Sequence, residues 1–373
     1  MASRPPLYRL SGTAVAIGFT ALLVGCSSAP VSSPATPATP ATSATSAASA
    51  ASTSAAASSS TAAAPSTAAV SSMADAQTSF AAPRTVPSGM GSGQADGVFP
   101  RTVTHFGGAT TIPAAPQRVV VISTGQLDGL LTLGVVPVGS TRGTGAGLVP
   151  AYLTAAFPDR ADQLGQLADL GTRQEPNLEA VAAVKPDLIL VNKAGAADYA
   201  DQLAAIAPTV LTEGTGVNWK QDFLLLADAL GRTQQAQGIL DAFHATAAAH
   251  AAGQVPSVSL VRTTSDRTRI FGVASFPGSI AQDAGFPRPD SQQFEKTSED
   301  ISAEQLDRAD ADWIFYGVQS GSEDQSVVEN PTWKTLTAVA ADHVVPVDDD
   351  MWYLNAGPTA AATVLREMIS ATS

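Results

Sequence analysis

Between residues 27 and 97 the chain is built almost wholly from Ala, Ser, Thr, Pro and Gly, and this stretch decides where a folded core can form. It has no hydrophobic periodicity and almost no charge. It cannot bury enough apolar surface to offset the entropy of ordering, so it reads as a disordered tether. A coil of about seventy residues has an r.m.s. reach of roughly 50 Å, and more where Pro stiffens it. The rest of the 373 residues must supply the core. Charge divides in the same place. The formal charge is −13, yet the first hundred residues carry only Arg4, Arg9, Arg84, Asp75 and Asp96, which leaves −14 on the remainder. Such an acidic body disfavours nucleic acid as a partner, because phosphate binding wants clustered Lys and Arg.

Ahead of the tether, Arg4 and Arg9 precede an apolar run over residues 10–24, the layout of a secretory signal and rather short for a membrane span. The run ends in Leu23-Val24-Gly25-Cys26, and Cys26 is the chain's one cysteine. A single Cys excludes an internal disulfide framework and any multi-cysteine metal cluster. The ending resembles the lipobox of bacterial lipoproteins, in which the Cys sulfur takes a diacylglycerol and cleavage makes that Cys the new N-terminus. The resemblance implies a signal peptide over 1–25, a lipidated Cys26 with a tether to 98, and attachment to the outer face of the cell membrane by lipid alone. Two or more acyl chains hold stably where one is marginal. The other reading is an ordinary cleaved signal peptide with an incidental Cys.

Beyond residue 100, elements of two periods alternate. Residues 101–112 alternate around Gly107-Gly108 as a β-hairpin. Arg118-Val119-Val120-Val121-Ile122 suits a buried parallel strand, and further strands are expected at 135–139, 187–191 and 209–211. Helices are expected between them at 126–133, 178–184 and 199–206. Two successive helices follow, at 219–230 and 233–252, with no strand between. Strand signals resume at 258–261, 269–272, 313–316 and 344–347, with helices near 302–306, 333–340 and 359–369. The expected fold is α/β, with two doubly wound lobes at 99–230 and 255–373 bridged by a long helix at 231–254. Ligands of open α/β sheets bind outside the carboxyl ends of the strands, so two such lobes make a cleft between them.

Several segments resemble a known family. Ile112-Pro113, Pro116-Gln117-Arg118-Val119-Val120, Leu127-Asp128-Gly129-Leu130 and Leu133-Gly134-Val135 resemble the opening of cluster-type substrate-binding proteins of bacterial iron–siderophore and vitamin B12 importers. Asn177-Leu178-Glu179-Ala180 with Lys185-Pro186-Asp187-Leu188-Ile189 matches a segment of that family's first lobe. Ile301-Ser302-Ala303-Glu304-Gln305-Leu306 with Ala311-Asp312-Trp313-Ile314 matches its counterpart in the second. The resemblance covers about 101–373. It implies a bilobed periplasmic-binding-protein-like fold with little hinge motion, a ferric siderophore or similar iron chelate as ligand, and an ABC permease as partner. It also implies that Glu179 and Glu304 dock onto permease arginines. The plainer reading of both is helix-start electrostatics, about 0.3–1 kcal/mol each.

Residues just after strand ends are the candidates for the cleft: Ser123, Thr124, Thr141, Arg142, Asn192, Lys193 and Trp219 from the first lobe, and Arg262, Ser275, Phe276, Tyr316, Trp352 and Tyr353 from the second. Aromatic walls with a few Arg donors suit a partly apolar chelate with oxygens around its metal. Arg142 also reads as a solvated loop arginine, the Trp352-Tyr353 pair as core, and Asp348-Asp349-Asp350 as a solvated loop. The acidic body favours a neutral or weakly charged ferric hydroxamate over a trianionic catecholate, within a screening length of about 8 Å. His105, His244, His250 and His343 sit on segments far apart, so bound free Zn or Mn is not expected. Haem, held by Tyr316 or Tyr353, or cobalamin is the alternative ligand, and an envelope scaffold for a cell-wall polymer or partner protein is the alternative function. No resident cofactor is expected. Neither is catalysis, since the chain lacks G-x-S-x-G, H-E-x-x-H and a P-loop.

Overall fold

A computed structural model describes residues 81–373, except 124, 144, 145, 320, 321 and 323–325. Cys26, Thr124 and most of the expected tether therefore lie outside the described residues. The hairpin is β1 (Arg101–His105) with β2 (Gly108–Ile112), paired antiparallel. The first lobe holds β3 (Val119–Ile122), β4 (Gly139–Arg142), β5 (Ala168–Thr172), β6 (Leu188–Asn192) and β7 (Thr209–Thr212). The second holds β8 (Val258–Thr263), β9 (Thr268–Phe271), β10 (Ser298–Ile301), β11 (Trp313–Val318) and β12 (Val344–Val347).

The two sheets share one strand order, β5-β4-β3-β6-β7 and β10-β9-β8-β11-β12. In each, the chain starts at the centre, moves out to one edge, then crosses to the other side. Their directions differ. The first sheet is parallel throughout. In the second, β9 runs antiparallel to both β8 and β10, while β8, β11 and β12 are parallel. The cause is the short link from β8 to β9, closed by Thr264 N–H donating to the Arg267 carbonyl at 2.9 Å. A turn of that length joins only antiparallel strands.

Two expected boundaries move. The strand expected at 135–139 is β4, at Gly139–Arg142. Val135 and Val136 pack against the core from an irregular segment instead. The tether expected to reach 98 is packed from Ala82 onward. Ser92 N–H and Oγ donate to Asp228 at 2.6 and 2.7 Å, and Arg84 donates to Asp283 at 2.8 Å. Asp96 accepts from the N–H groups of Thr233 and Gln234 at 2.7 and 3.0 Å. Those are free donors at the start of the bridging helix Thr233–Ala251, where Arg232 offers no side-chain cap. A borrowed cap of this kind is worth about 1 kcal/mol.

The bridging helix buries Ala236, Leu240, Phe243 and Ala247, a single stripe at helical spacing. That stripe enters one continuous core running from Leu130 and Phe223 of the first lobe to Phe315, Trp352 and Val364 beyond it. The outer faces of the two sheets have separate clusters, around Val120 and Ile189 in the first lobe and around Val261 and Tyr316 in the second. The lobes are thus welded along their inner faces.

Candidate functional site

The cleft opens at the switch point of the first sheet, where strand order reverses between β3 and β6. Ser123, Gly125 and Gln126 follow β3, Arg173 follows β5, Asn192 ends β6, Thr212 ends β7, and Gly214, Thr215 and Gly216 come after it; all of these flank the cleft. Phe271, Ser275, Phe276, Thr297 and Tyr353 close it from the second lobe. The empty space is about 850 Å³ with its open mouth included, in the size class of small-molecule sites.

The polar side of the cleft has two atoms left to bind. Gln126 is 6% exposed. Its Nε2 donates to Thr212 Oγ1 at 3.1 Å, while its Oε1 has no partner. Arg173 has an unpartnered buried Nε, and burial lowers its pKa. Among the described residues no carboxylate forms an ion pair with it, in contrast to Arg142, Arg262 and Arg269. The loop beneath is pinned by Asp222, which accepts from Glu213 N–H at 2.9 Å and Gly214 N–H at 2.8 Å. Burial pushes the Asp222 carboxyl up to about 7 against those two bonds. Gly214 is required there: its φ is +82°, and a Cβ would lie 2.3 Å from Asn192 Cβ.

The apolar side turns on Trp219, at the head of helix Trp219–Ala229. Its indole meets Phe243 of the bridging helix edge-on at 5.2 Å and Phe276 of the second lobe at 5.9 Å, and its Nε1 donates to Ser279 Oγ at 3.2 Å. Tyr353 lies across the second sheet. Its hydroxyl reaches the carbonyls of Val261 and Phe315 at 3.1 and 3.3 Å, and its ring sits 4.6 Å from Phe271.

The structure thus brings Trp219, Phe276 and Tyr353 of the expected residues to the cleft wall, together with Ser123, Asn192 and Ser275. Others go elsewhere. Trp352 is in the core, not the cleft: it is fully buried, stacks on Phe315 at 5.0 Å and donates from Nε1 to Glu367 at 2.8 Å. Residues 350–354 form a single π-helical turn, and neighbours in a turn point different ways. Tyr316 faces the outer cluster, where its hydroxyl bonds Thr263 Oγ1 at 3.1 Å and its ring packs on Trp333. Arg262 is held bidentate by the buried Asp349 at 2.5 and 2.8 Å, so the acidic triplet is partly a structural anchor. Arg142 pairs with Asp169 beside a smaller recess that also contains Thr141, and Lys193 is exposed, 3.8 Å from Glu213. Neither tyrosine offers a free phenolate to haem iron. Burial raises the pKa of Tyr353, whose hydroxyl already serves two carbonyls. Sequence reading missed Arg173, because its strand was not recognised, and Gln126, which lies in the first turn of a helix rather than at a strand end.

Glu179 and Glu304 are both exposed. Glu179 is in the first turn of helix Leu178–Ala183, between β5 and β6; Glu304 is in the first turn of the 3₁₀ helix Ala303–Ala309, between β10 and β11. With the shared strand order, these are equivalent places. Asn177 caps the first helix by accepting from Ala180 N–H at 3.0 Å, and Ser302 with Gln305 forms a capping box at the second.

Two α/β lobes on a common helix, with polar strand ends facing an aromatic wall, define a bilobed solute-binding protein. Among the described residues no three His, Cys, Asp or Glu side chains converge on a metal site, and no helix is long and apolar enough to cross a membrane. The chain belongs to the periplasmic binding protein family, whose model matches residues 119–351. A Bacillus subtilis protein named probable siderophore-binding lipoprotein YfiY is 33% identical over 287 residues, covering 72% of this chain and 86% of its own. The Fe(3+)-citrate-binding protein YfmC of the same organism is 26% identical over 294 residues, covering 74% and 89%. Staphylococcus aureus SirA, crystallised with staphyloferrin B, superposes with a TM-score of 0.64 at 28% identity, covering 72% of this chain and 97% of SirA.

Proposed function

We propose that this protein is a lipid-anchored, extracytoplasmic binding protein that captures a ferric siderophore in the inter-lobe cleft and delivers it, unaltered, to an ABC importer permease. The observation that carries the reading is the buried, unpartnered Arg173 Nε on the polar wall, facing a wall rich in aromatic rings. Anionic oxygens around a chelated ferric ion match a free guanidinium, and flat apolar arms of the chelate match Trp219, Phe276 and Tyr353. The siderophore-binding and iron-citrate-binding names of the relatives point the same way. Cys26 is the anchor in this reading, and Glu179 with Glu304 forms the permease-docking pair, supported by their equivalent exposed positions.

A ligand that binds only the folded state raises the melting temperature by mass action. Thermal shift against ferrichrome, ferric citrate, ferric enterobactin, haem and cobalamin is the decisive panel. A shift with one or more ferric chelates, with the chelate recovered intact, is the expected result. A response to haem or cobalamin alone would redirect the ligand, and silence across the panel would favour the scaffold role.

A further inference from the structure

The last helix of the chain, Pro358–Ala371, begins at Gly357, which has no side chain with which to satisfy its free N–H groups. A first-lobe residue does so instead. Asp128, fully buried on helix Gln126–Thr132, accepts from Thr359 N–H at Oδ1 and from Ala360 N–H at Oδ2, both at 2.9 Å. Tyr152 donates its hydroxyl to Oδ2 at 2.9 Å. Thr132 Oγ1 shares its hydrogen between the Asp128 carbonyl at 2.9 Å and Oδ1 at 3.2 Å, and lies 2.7 Å from Thr359 Oγ1. Every one of these partners of the carboxylate is a donor, which suits an acceptor-only anion at the positive end of a helix.

Two glycines let the parts come this close. A Cβ on Gly357 would lie 2.4 Å from Asp128 Cβ, and one on Gly125 would lie 2.6 Å from the Ala356 carbonyl oxygen. Gly125, Gln126, Leu354, Ala356 and Pro358 all line the cleft. The carboxylate therefore sits directly behind the place where the first-lobe wall meets the 354–358 wall.

We propose that Asp128 is a positioning residue for ligand binding, which fixes the spacing between Gly125-Gln126 and residues 354–358 by capping the C-terminal helix from the first lobe, and so sets the width of the cleft. The binding half of this rests on the reading of the cleft as a ferric-chelate site. An Asn at 128 keeps the size but turns an N–H₂ toward groups that are themselves donors, so it breaks the cap without emptying the space.

The test uses the folded chain with spin labels at Lys185 and Lys334, one on each lobe, in a Cys26→Ser background. Asp128→Asn should broaden the inter-lobe distance distribution and speed amide exchange at Thr359 and Ala360. Leu203→Ala, a core lesion in the separate outer cluster of the first lobe, should lower stability and leave the distribution unchanged. Release of radioiron-labelled ferric citrate or ferrichrome should quicken about tenfold in Asp128→Asn, because the binding-competent spacing of the walls is then less populated. If Asp128→Asn does not fold, Tyr152→Phe removes one donor and should show the same broadening to a smaller degree. An unchanged distribution in the folded variant, or equal broadening by Leu203→Ala, overturns the proposal. Should the wild-type protein take neither chelate, the cleft reading fails, while the distance measurement still decides the role of Asp128.

Discussion

The two lobes repeat one strand order yet present different surfaces to the cleft. The first lobe offers strand ends, because its five strands run parallel and their carboxyl ends collect at one rim. Those ends carry Ser123, Gln126, Arg173 and Asn192, groups that read charge and hydrogen bonding. The second lobe offers rings. Reversal of β9 takes the residues after it away from the ends of β8 and β11, and Tyr353 lies across the sheet rather than at its rim. One fold repeated twice thus yields a selective wall and a permissive wall, and the direction of a single strand separates them.

That division can be broken by substitution. Arg173→Gln should lower affinity for anionic ferric chelates by about 10- to 100-fold, the worth of a charge-assisted bond, while a neutral hydroxamate chelate changes by less than about threefold. Titration calorimetry with ferric citrate and ferrichrome measures both, and equal losses would dissolve the distinction. Phe276→Ala should cost about tenfold irrespective of chelate charge, as expected for a lost aromatic face. A loss confined to anionic chelates would place charge reading on both walls.

The smallest effect concerns the pinned loop of the first lobe. The Asp222 carboxyl is raised from its ordinary value of 3.8 to about 7. It binds its proton more tightly folded than unfolded, so the stability this proton contributes is present below 3.8 and is lost as pH rises through about 7. The melting temperature of the wild type should therefore decline across that window more steeply than that of Asp222→Asn. Parallel declines in a pH series of thermal melts would remove Asp222 as the cause.

Much of the fold is written in local sequence, and the exceptions have physical causes. β3, β6 and β7 are legible because buried parallel strands must be apolar on both faces, as Val119-Val120-Val121-Ile122 is. β4 reads Gly-Ser-Thr-Arg and β5 reads Ala-Asp-Leu-Gly-Thr. Their extended form comes from pairing with neighbours, which no window of sequence contains. Arg173 was lost with β5. Spacing held the clue, since an α/β alternation with strands at β4 and β6 leaves room for another before the helix that starts at Leu178. Trp352 and Tyr353 failed as a pair for a different reason: a strand-end rule gives position along the chain, while the π-helical turn decides direction. The packed segment from Ala82 to Val98 has the small, polar composition of the tether before it. Its order comes from single contacts, such as Arg84 with Asp283 and Asp96 with the bridging helix, rather than from an apolar pattern.

Trp219, though buried, lines two cavities, the cleft on one side and an apolar groove between the bridging and C-terminal helices, lined by Leu240, Phe243 and Leu365, on the other. The other three tryptophans, Trp313, Trp333 and Trp352, are paired with His343, Tyr316 and Phe315 away from the cleft wall. The molecule therefore carries its own optical gauge. Emission from Trp219 registers what fills the cleft in front of it and what rests in the groove behind it, and a Trp219→Phe variant supplies the blank against which both can be read.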